Sequence, residues 1–162
     1  MSARPNWLPE LFTISGEWDL VLEGLHLVFH RDFIVGRPRF RAWPVWWNRA
    51  VSAGEQYHEA FWHLITKDEG EGRIVDMRRA ERLPWCGPSI VMCNDPCYLV
   101  WDYREGSGAI RTYIWYQGGD YIIVLEKRPH RFGIIAFLVT AHYIEGGGTR
   151  RRLQAKYAKR EA

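Results

Sequence analysis

Two histidines in one short segment are the residues best suited to acid–base chemistry. His58 and His63 lie in the segment 55–66, whose apolar spacing is typical of an amphipathic helix. Five residues of separation put them about 140° apart around a helix axis, so they do not form the i, i+4 pair that chelates a metal. Histidine has an ordinary pKa near ~6.5, and His63 is therefore predicted to act as a general acid or base. The alternative for His63 is a half-buried structural histidine.

Polar residues on two predicted strands complete this set. Arg111 lies in the middle of a strand, where a buried guanidinium requires an anion such as a carboxylate or a phosphate. In the last strand Thr140 and His142 share one face, whereas Tyr143 points to the opposite face unless a bulge redirects it. Either Tyr143 or His142 can partner Thr140. Such side chains suffice to cut RNA without a metal, because the substrate's own 2′-hydroxyl can be the nucleophile.

Basic residues are concentrated in the C-terminal segment 146–162 and in the short predicted helix at 75–83. The net charge is +3, from 22 Lys and Arg against 19 Asp and Glu. The segment 146–162 holds six of the basic residues and one acidic residue, which is an electrostatic footprint for a polyanion. A solvated helix end is the alternative reading of this segment. The residues predicted to bind RNA are Arg78, Arg79, Arg82, Arg150, Arg151, Arg152 and Lys156.

Composition disfavours several classes of protein. The chain has 162 residues, 47% of them hydrophobic and 25% charged, as in a single soluble globular domain. Its longest uncharged apolar run, 133–141, is far shorter than the ~20 residues that span a bilayer, and the N-terminus lacks a signal-peptide core. We therefore expect a cytoplasmic protein with no membrane partner, in which Cys86, Cys93 and Cys97 are reduced. Because no phosphate loop, dinucleotide fingerprint or zinc-ligand spacing occurs, no cofactor and no metal are predicted.

The candidate residues must be positioned by helices early in the chain and by strands later. Helices are predicted over 17–31, 55–66, 75–83 and 149–160. Pro84, Gly87 and Pro88 are expected to end the third helix, and Thr149 to cap the fourth. Strands are predicted over 98–104, 109–117, 120–126 and 132–143, with an extended arm or edge strand at 35–48 and a polar loop at 67–72.

These elements predict an α+β fold in one domain, residues 1–162. Short connectors make the four strands an antiparallel meander, with the N-terminal helices packed on it and a basic helix at the C-terminus. The parts are an N-terminal segment (1–16), a mainly helical part (17–96), the antiparallel sheet (97–144) and the basic C-terminal helix (145–162).

Six segments that occur in a fixed order resemble a known group of nucleases. They are H-R-D-F-I (30–34), F-W-H-L-I-T (61–66), D-M-R-R-A-E-R-L-P-W (76–85), D-Y-I-I-V-L (120–125), F-L-V-T-A-H-Y-I (137–144) and R-R-R-L-Q-A-K-Y (150–157). Together they resemble phage- and mobile-element-associated proteins of the barnase–EndoU–colicin–RelE-like (BECR-fold) ribonuclease group, over roughly residues 17–158. The resemblance implies N-terminal helices on a four-stranded antiparallel sheet. It also implies a metal-independent endoribonuclease, either a toxin or a phage conflict factor.

The resemblance further implies roles for single residues. His63 would be the helix-borne acid or base, Arg111 the cation at the phosphate, and Thr140 and Tyr143 the polar residues of the last strand. Arg79 and Arg82 would either bind the RNA backbone or brace the sheet through ion pairs. The implied partners are RNA, with tRNA as one class, and a cognate antitoxin or inhibitor protein. The implied product is a 2′,3′-cyclic phosphate.

Two other functions fit the same sequence. One is a non-catalytic module that binds RNA or a protein through its basic and aromatic surface, with binding that weakens steeply as salt rises. The other is a small-molecule enzyme or binding protein whose pocket lies between helix and sheet.

Overall fold

The computed structural model describes residues 3–162 and has an α+β arrangement, with helices on both faces of one large sheet. Met1 and Ser2, the first residues of the predicted segment 1–16, lie outside the described residues. The helices are α1 (Trp18–Phe29), α2 (Glu59–Ile65), α3 (Met77–Glu81), α4 (Leu83–Val91) and α5 (Gly146–Ala158), and a π-helical turn (His30–Val35) follows α1.

The large sheet has six strands of mixed direction, so the predicted four-stranded antiparallel sheet is wrong. The strand order is β1-β2-β8-β7-β6-β5, and β3 with β4 forms a separate hairpin. Strand β2 runs parallel to β8, through Val45 opposite Ala136 and Trp46 opposite Phe137. Such a parallel pair joins distant parts of the chain and leaves no local turn signal. The strands are β1 (Arg39–Phe40), β2 (Trp43–Trp46), β3 (Thr66–Glu69), β4 (Gly72–Val75), β5 (Tyr98–Arg104), β6 (Ile110–Tyr116), β7 (Tyr121–His130) and β8 (Gly133–Tyr143).

Both faces of the sheet are buried. Successive strand residues point to opposite faces, so Ile114 and Ile123 pack against the N-terminal helices while Trp115 and Ile122 pack on the other side. Leu153 of α5 covers this second face. The sheet therefore separates a large core under α1, α2 and α4 from a smaller core under α5.

Three local predictions differ from the structure. Pro84, Gly87 and Pro88 do not end a helix but lie within α4, where Pro84 occupies the first turn and has no intrahelical acceptor to lose. The predicted polar loop at 67–72 is instead part of the β3–β4 hairpin: residues 67–69 belong to β3, Gly72 begins β4, and only residues 70–71 form the turn. Helix α5 begins at Gly146 after Glu145, so Thr149 does not cap it.

Gly36 caps the C-terminal end of the π-helical turn, and no side chain fits at this position. A Cβ atom at this position would lie 2.6 Å from the carbonyl oxygen of Asp32 and 2.8 Å from that of Arg31. We expect Gly36→Ala to lower the free energy of unfolding by about 1–3 kcal/mol, because the backbone must shift to relieve this overlap. Urea unfolding measures the effect. The control is Gly148→Ala in α5, where a Cβ meets nothing within 4 Å, and unchanged stability of Gly36→Ala would contradict the interpretation.

Candidate active site

Helix α2 is held between the core and the segment that follows β2. Phe61, Leu64 and Ile65 are buried on its inner side. The backbone N–H of Glu59 donates to the Ala50 carbonyl at 2.7 Å, which satisfies one of the free donors at the helix start. These contacts leave His63 on the outer side of α2, away from the core.

The free edge of β8 faces this side of α2. Strand β2 pairs with β8 only at Ala136 and Phe137, so the rest of β8 up to Tyr143 has no strand neighbour on that side. Val139 is an extra residue in β8, because the register passes from Leu138 directly to Thr140 opposite β7. Such a bulge re-aims the side chains that follow it.

A polar cleft of about 440 Å³ lies between α2, the β3–β4 hairpin, α3 and the edge of β8. It is lined by Glu59, His63, Thr66, Lys67, Asp68, Arg73, Arg79, Val139, Thr140 and His142. A smaller cavity of about 180 Å³ adjoins it and shares Glu59, His63, Val139 and Thr140 as walls. The structure thus brings His63, Thr140 and His142 together, with a cation and an ion pair beside them.

His142 is poised to accept a proton at its outer nitrogen. Its Nδ1 lies 3.0 Å from the carbonyl oxygen of Tyr143, and because a carbonyl only accepts, Nδ1 carries the hydrogen. Nε2 is then the unprotonated nitrogen of the neutral ring. Burial lowers the pKa of His142, and the nearby charges of Arg79 and His63 lower it further. The net effect favours the neutral ring, although the hydrogen bond to the Tyr143 carbonyl and the charge of Asp76 act in the opposite sense.

His63 is tuned in the same direction. The walls of the cleft displace water from its ring, which lowers the pKa, and the charge of Arg79 acts in the same sense. Asp68 partly opposes this effect by favouring the charged ring. Two histidines that line one cleft and repel each other's charge can hold one proton between them more easily than two.

Arg79 is anchored beside the two histidines. It donates to the Thr66 carbonyl at 2.7 Å, and its Nε lies 3.5 Å from the Asp76 carboxylate. Asp76 also caps α3, accepting the backbone N–H of Arg78 at 3.0 Å. The cap and the hairpin together hold the Arg79 side chain along the wall of the cleft.

An ion pair forms the opposite wall. Arg73 of β4 donates to Glu59 at 2.8 Å, and Ser52 donates to the other carboxylate oxygen. The Ser52 hydroxyl and Arg73 lower the pKa of Glu59, so this carboxylate stays ionised. Glu59 and Arg73 were not among the predicted site residues. Arg73 reaches the cleft because the predicted loop folds into the β3–β4 hairpin, which carries Arg73 on its second strand.

Arg111, predicted to act together with His63, does not line the cleft. By strand alternation it shares a face with Tyr113, which packs in the core under α5. Its guanidinium donates to Glu126 at 3.1 Å, directly across from it on β7, and Arg128 binds the same carboxylate at 2.9 Å. The anion that a mid-strand arginine requires is thus a carboxylate of the sheet.

Tyr143 does not line the cleft either. The Cζ atom of Arg82 lies 4.2 Å from the centre of the Tyr143 ring, and that of Arg78 lies 5.6 Å from it. Arg82 is buried and donates to Glu81 at 2.7 Å. Of the two roles implied for Arg82, its contacts are those of a residue that braces the fold, whereas Arg78 remains exposed.

The predicted RNA-binding residues of the tail differ in their contacts. Arg150 forms an ion pair with Asp120. Lys156 binds Glu105 at 3.0 Å and lies 2.8 Å from the Tyr113 hydroxyl, so both of these cations hold α5 on the sheet. The remaining two, Arg151 and Arg152, are exposed.

Further features bear on cofactors and partners. Within residues 3–162 no three His, Cys, Asp or Glu side chains are grouped so that they could bind a metal ion. Cys86 and Cys93 are buried and Cys97 is partly buried, and all three are free thiols. In the same part of the chain, no helix combines the length and apolar character needed to cross a membrane.

Comparisons with known proteins give no indication of function. No family model, no curated protein and no solved structure matches this chain. The likeness to the BECR-fold group therefore remains a resemblance of short segments, and the chemistry has to be argued from the cleft.

Proposed function

We propose that this protein is a metal-independent endoribonuclease whose active site is the cleft between α2 and β8. The observation that carries the proposal is the meeting of two histidines of lowered pKa, His63 and His142, beside Arg79 and Thr140. A pair of groups that can give and take a proton, next to a fixed cation, is what transesterification at a phosphodiester needs.

In the proposed reaction His142 is the base. Its Nε2 takes the proton of the ribose 2′-hydroxyl, and the 2′-oxygen attacks the adjacent phosphorus. The bond between phosphorus and the 5′-oxygen breaks, and protonated His63 gives its proton to that oxygen. The products are a 2′,3′-cyclic phosphate and a free 5′-hydroxyl, and no other reactant is consumed.

The cations of the cleft have a separate task. Negative charge builds on the non-bridging oxygens as the 2′-oxygen attacks. Arg79, fixed by its bonds to Thr66 and Asp76, is a cation whose charge acts on both histidines. Thr140, which lines both cavities, would donate its hydroxyl to the phosphate. In this proposal Arg79 takes the role that the resemblance implies for Arg111.

The test is cleavage of a mixed RNA pool, including tRNA, in EDTA. We expect cleavage with cyclic phosphate at the new 3′ ends. The matched control is the same sequence with 2′-O-methyl riboses, which lacks the nucleophile and must stay intact. Cleavage of that control, or products with open 3′-phosphates from the first time point, would contradict the mechanism. Saturable, salt-sensitive binding of every RNA without cleavage would favour the non-catalytic binding module instead.

A further inference from the structure

A second cavity lies on the other side of the segment that follows β2. It measures about 520 Å³, larger than the 440 Å³ of the proposed active-site cleft. Its lining includes Arg37, Arg39, Arg49, Trp46, Trp47 and His58. None of these is part of the proposed catalytic site, and we call this space the arginine–tryptophan cavity.

The cavity is strongly basic. Three of its lining residues, Arg37, Arg39 and Arg49, are exposed arginines, and none of the lining residues is acidic. Within residues 3–162 no carboxylate oxygen lies within 4 Å of any of the three guanidinium groups. Arg39 donates to the Ala42 carbonyl, which leaves Arg37 and Arg49 as the freer cations. Arginines without a carboxylate partner on a concave surface attract a phosphate-bearing ligand, since the guanidinium fork matches phosphate oxygens.

Two tryptophans, Trp46 and Trp47, also line the cavity, and further aromatic rings adjoin Trp46. The ring of Trp46 lies 4.5 Å from that of His130, and Phe132 lies 4.1 Å beyond it at the tip of the β7–β8 hairpin. Phe132 is 65% exposed, so the row of rings continues from the cavity to solvent. Arg49 lies over the ring of Trp47, with its Cζ 4.6 Å from the ring centre. Such a surface suits stacking of unpaired bases.

The cavity adjoins the proposed active site. His58 directly precedes α2 and His63 lies within it, about 7.5 Å further along at 1.5 Å per residue. Asn48 lines the smaller cavity next to His63, while its neighbours Trp47 and Arg49 line the arginine–tryptophan cavity. The two spaces are therefore separated only by the chain at 47–49.

We propose that the arginine–tryptophan cavity binds a nucleotide of single-stranded RNA adjacent to the scissile phosphate. Arg37 and Arg49 hold the phosphate, and Trp46 stacks with the base. This assignment rests on the proposed function for the substrate class, but it requires binding only. A duplex is not the expected ligand, because its bases are already stacked and cannot reach the Trp46 ring.

The test measures binding of an uncleavable probe. The probe is a fluorescent single-stranded 2′-O-methyl RNA of mixed sequence, followed by anisotropy over a range of salt concentrations. In Arg37→Gln/Arg49→Gln we expect Kd to rise at least tenfold and the slope of log Kd against log salt to fall by about one to two. The charge-matched control is Arg4→Gln/Arg104→Gln, two exposed arginines outside both cavities and outside the basic segment 146–162, with an expected loss below threefold. Equal losses in the two variants would overturn the proposal.

A second pair of variants tests stacking. Trp46→Leu is expected to raise Kd by about 5- to 100-fold, and Trp46→Phe to restore it to within about threefold. If Trp46→Leu does not fold, Phe132→Ala replaces it, because that exposed ring is outside the core, and we expect a rise of at least threefold. Unchanged Kd in the variant that folds would overturn the stacking role.

The outcomes separate this proposal from the proposed function. Cavity-dependent binding of the probe without cleavage of natural RNA would support the cavity and contradict the nuclease. Cleavage with cyclic ends, together with full binding by Arg37→Gln/Arg49→Gln, would support the nuclease and overturn the cavity.

Discussion

Replacement of His142 by alanine is expected to slow RNA cleavage by about 100- to 10,000-fold, and His63→Ala by a similar factor. A positioned general acid or base accelerates a reaction by about this factor. In the proposed reaction His142 accepts the proton of the nucleophile, and His63 donates a proton to the leaving group. Single-turnover cleavage in EDTA measures the rate. We expect the double variant to be little slower than either single one, because two groups that act on one step are not additive. His30→Ala is the control, since that exposed histidine lies at the end of α1, and its rate should be unchanged. Full activity of either cleft variant would refute the assignment.

The pH dependence of the same rate checks the roles. The base must be neutral, so the rate rises as pH passes the pKa of His142, and the acid must be protonated, so the rate falls as pH passes the pKa of His63. Both pKa values are lowered from 6.5, which puts the optimum on the acidic side of pH 6.5 and the descending limb below neutrality. Arg79→Gln removes a charge that lowers both, so the whole profile should move to higher pH while its height drops. A lower profile with no shift would mean that Arg79 only supports the fold.

Phe61→Ala is expected to lower the free energy of unfolding by about 3–5 kcal/mol. Its ring is fully buried and packs against the rings of Phe29, at 5.7 Å, and Tyr57, at 5.1 Å, so truncation leaves a cavity between α1 and α2. Urea unfolding followed by tryptophan fluorescence measures the change. Leu20→Ala on α1 is the matched control, because that side chain is 67% exposed and its loss should cost less than about 0.5 kcal/mol. A loss of less than 1 kcal/mol at Phe61 would show that α2 is not anchored through this ring.

The strands of the second half of the chain could be predicted because their signals are local. Alternating apolar residues and Gly-containing turns are properties of a few neighbouring residues, and the prediction 98–104 coincides with β5. Strand β7 was predicted to stop at 126 but extends to His130, through Pro129. Beyond Glu126, β7 has a neighbour only on the β8 side, and such an edge position tolerates the missing N–H of a proline.

The helices show where local signals mislead. Pro84, Gly87 and Pro88 have the composition of a helix end, yet α4 runs through all three. A Cβ at Gly87 would lie 3.0 Å from the Asp32 side chain, so the glycine allows α4 to approach the π-helical turn. This close approach depends on tertiary packing, so it cannot be predicted from the residues next to Gly87 in the sequence.

By itself the sequence determined the period of each segment, and with it the placement of single side chains. It gave Thr140 and His142 a common face of β8, whereas it left His63 open between a catalytic residue and a half-buried structural histidine. Only the tertiary structure decided which of these residues meet. Arg111 pairs with a carboxylate of β7, while Arg79 and Arg73 reach the histidines through a helix cap and a hairpin turn. The physical reason is that burial and alternation are set by neighbours a few residues away, whereas a cleft is formed by segments about 80 residues apart in the chain, whose contacts depend on how the whole core packs.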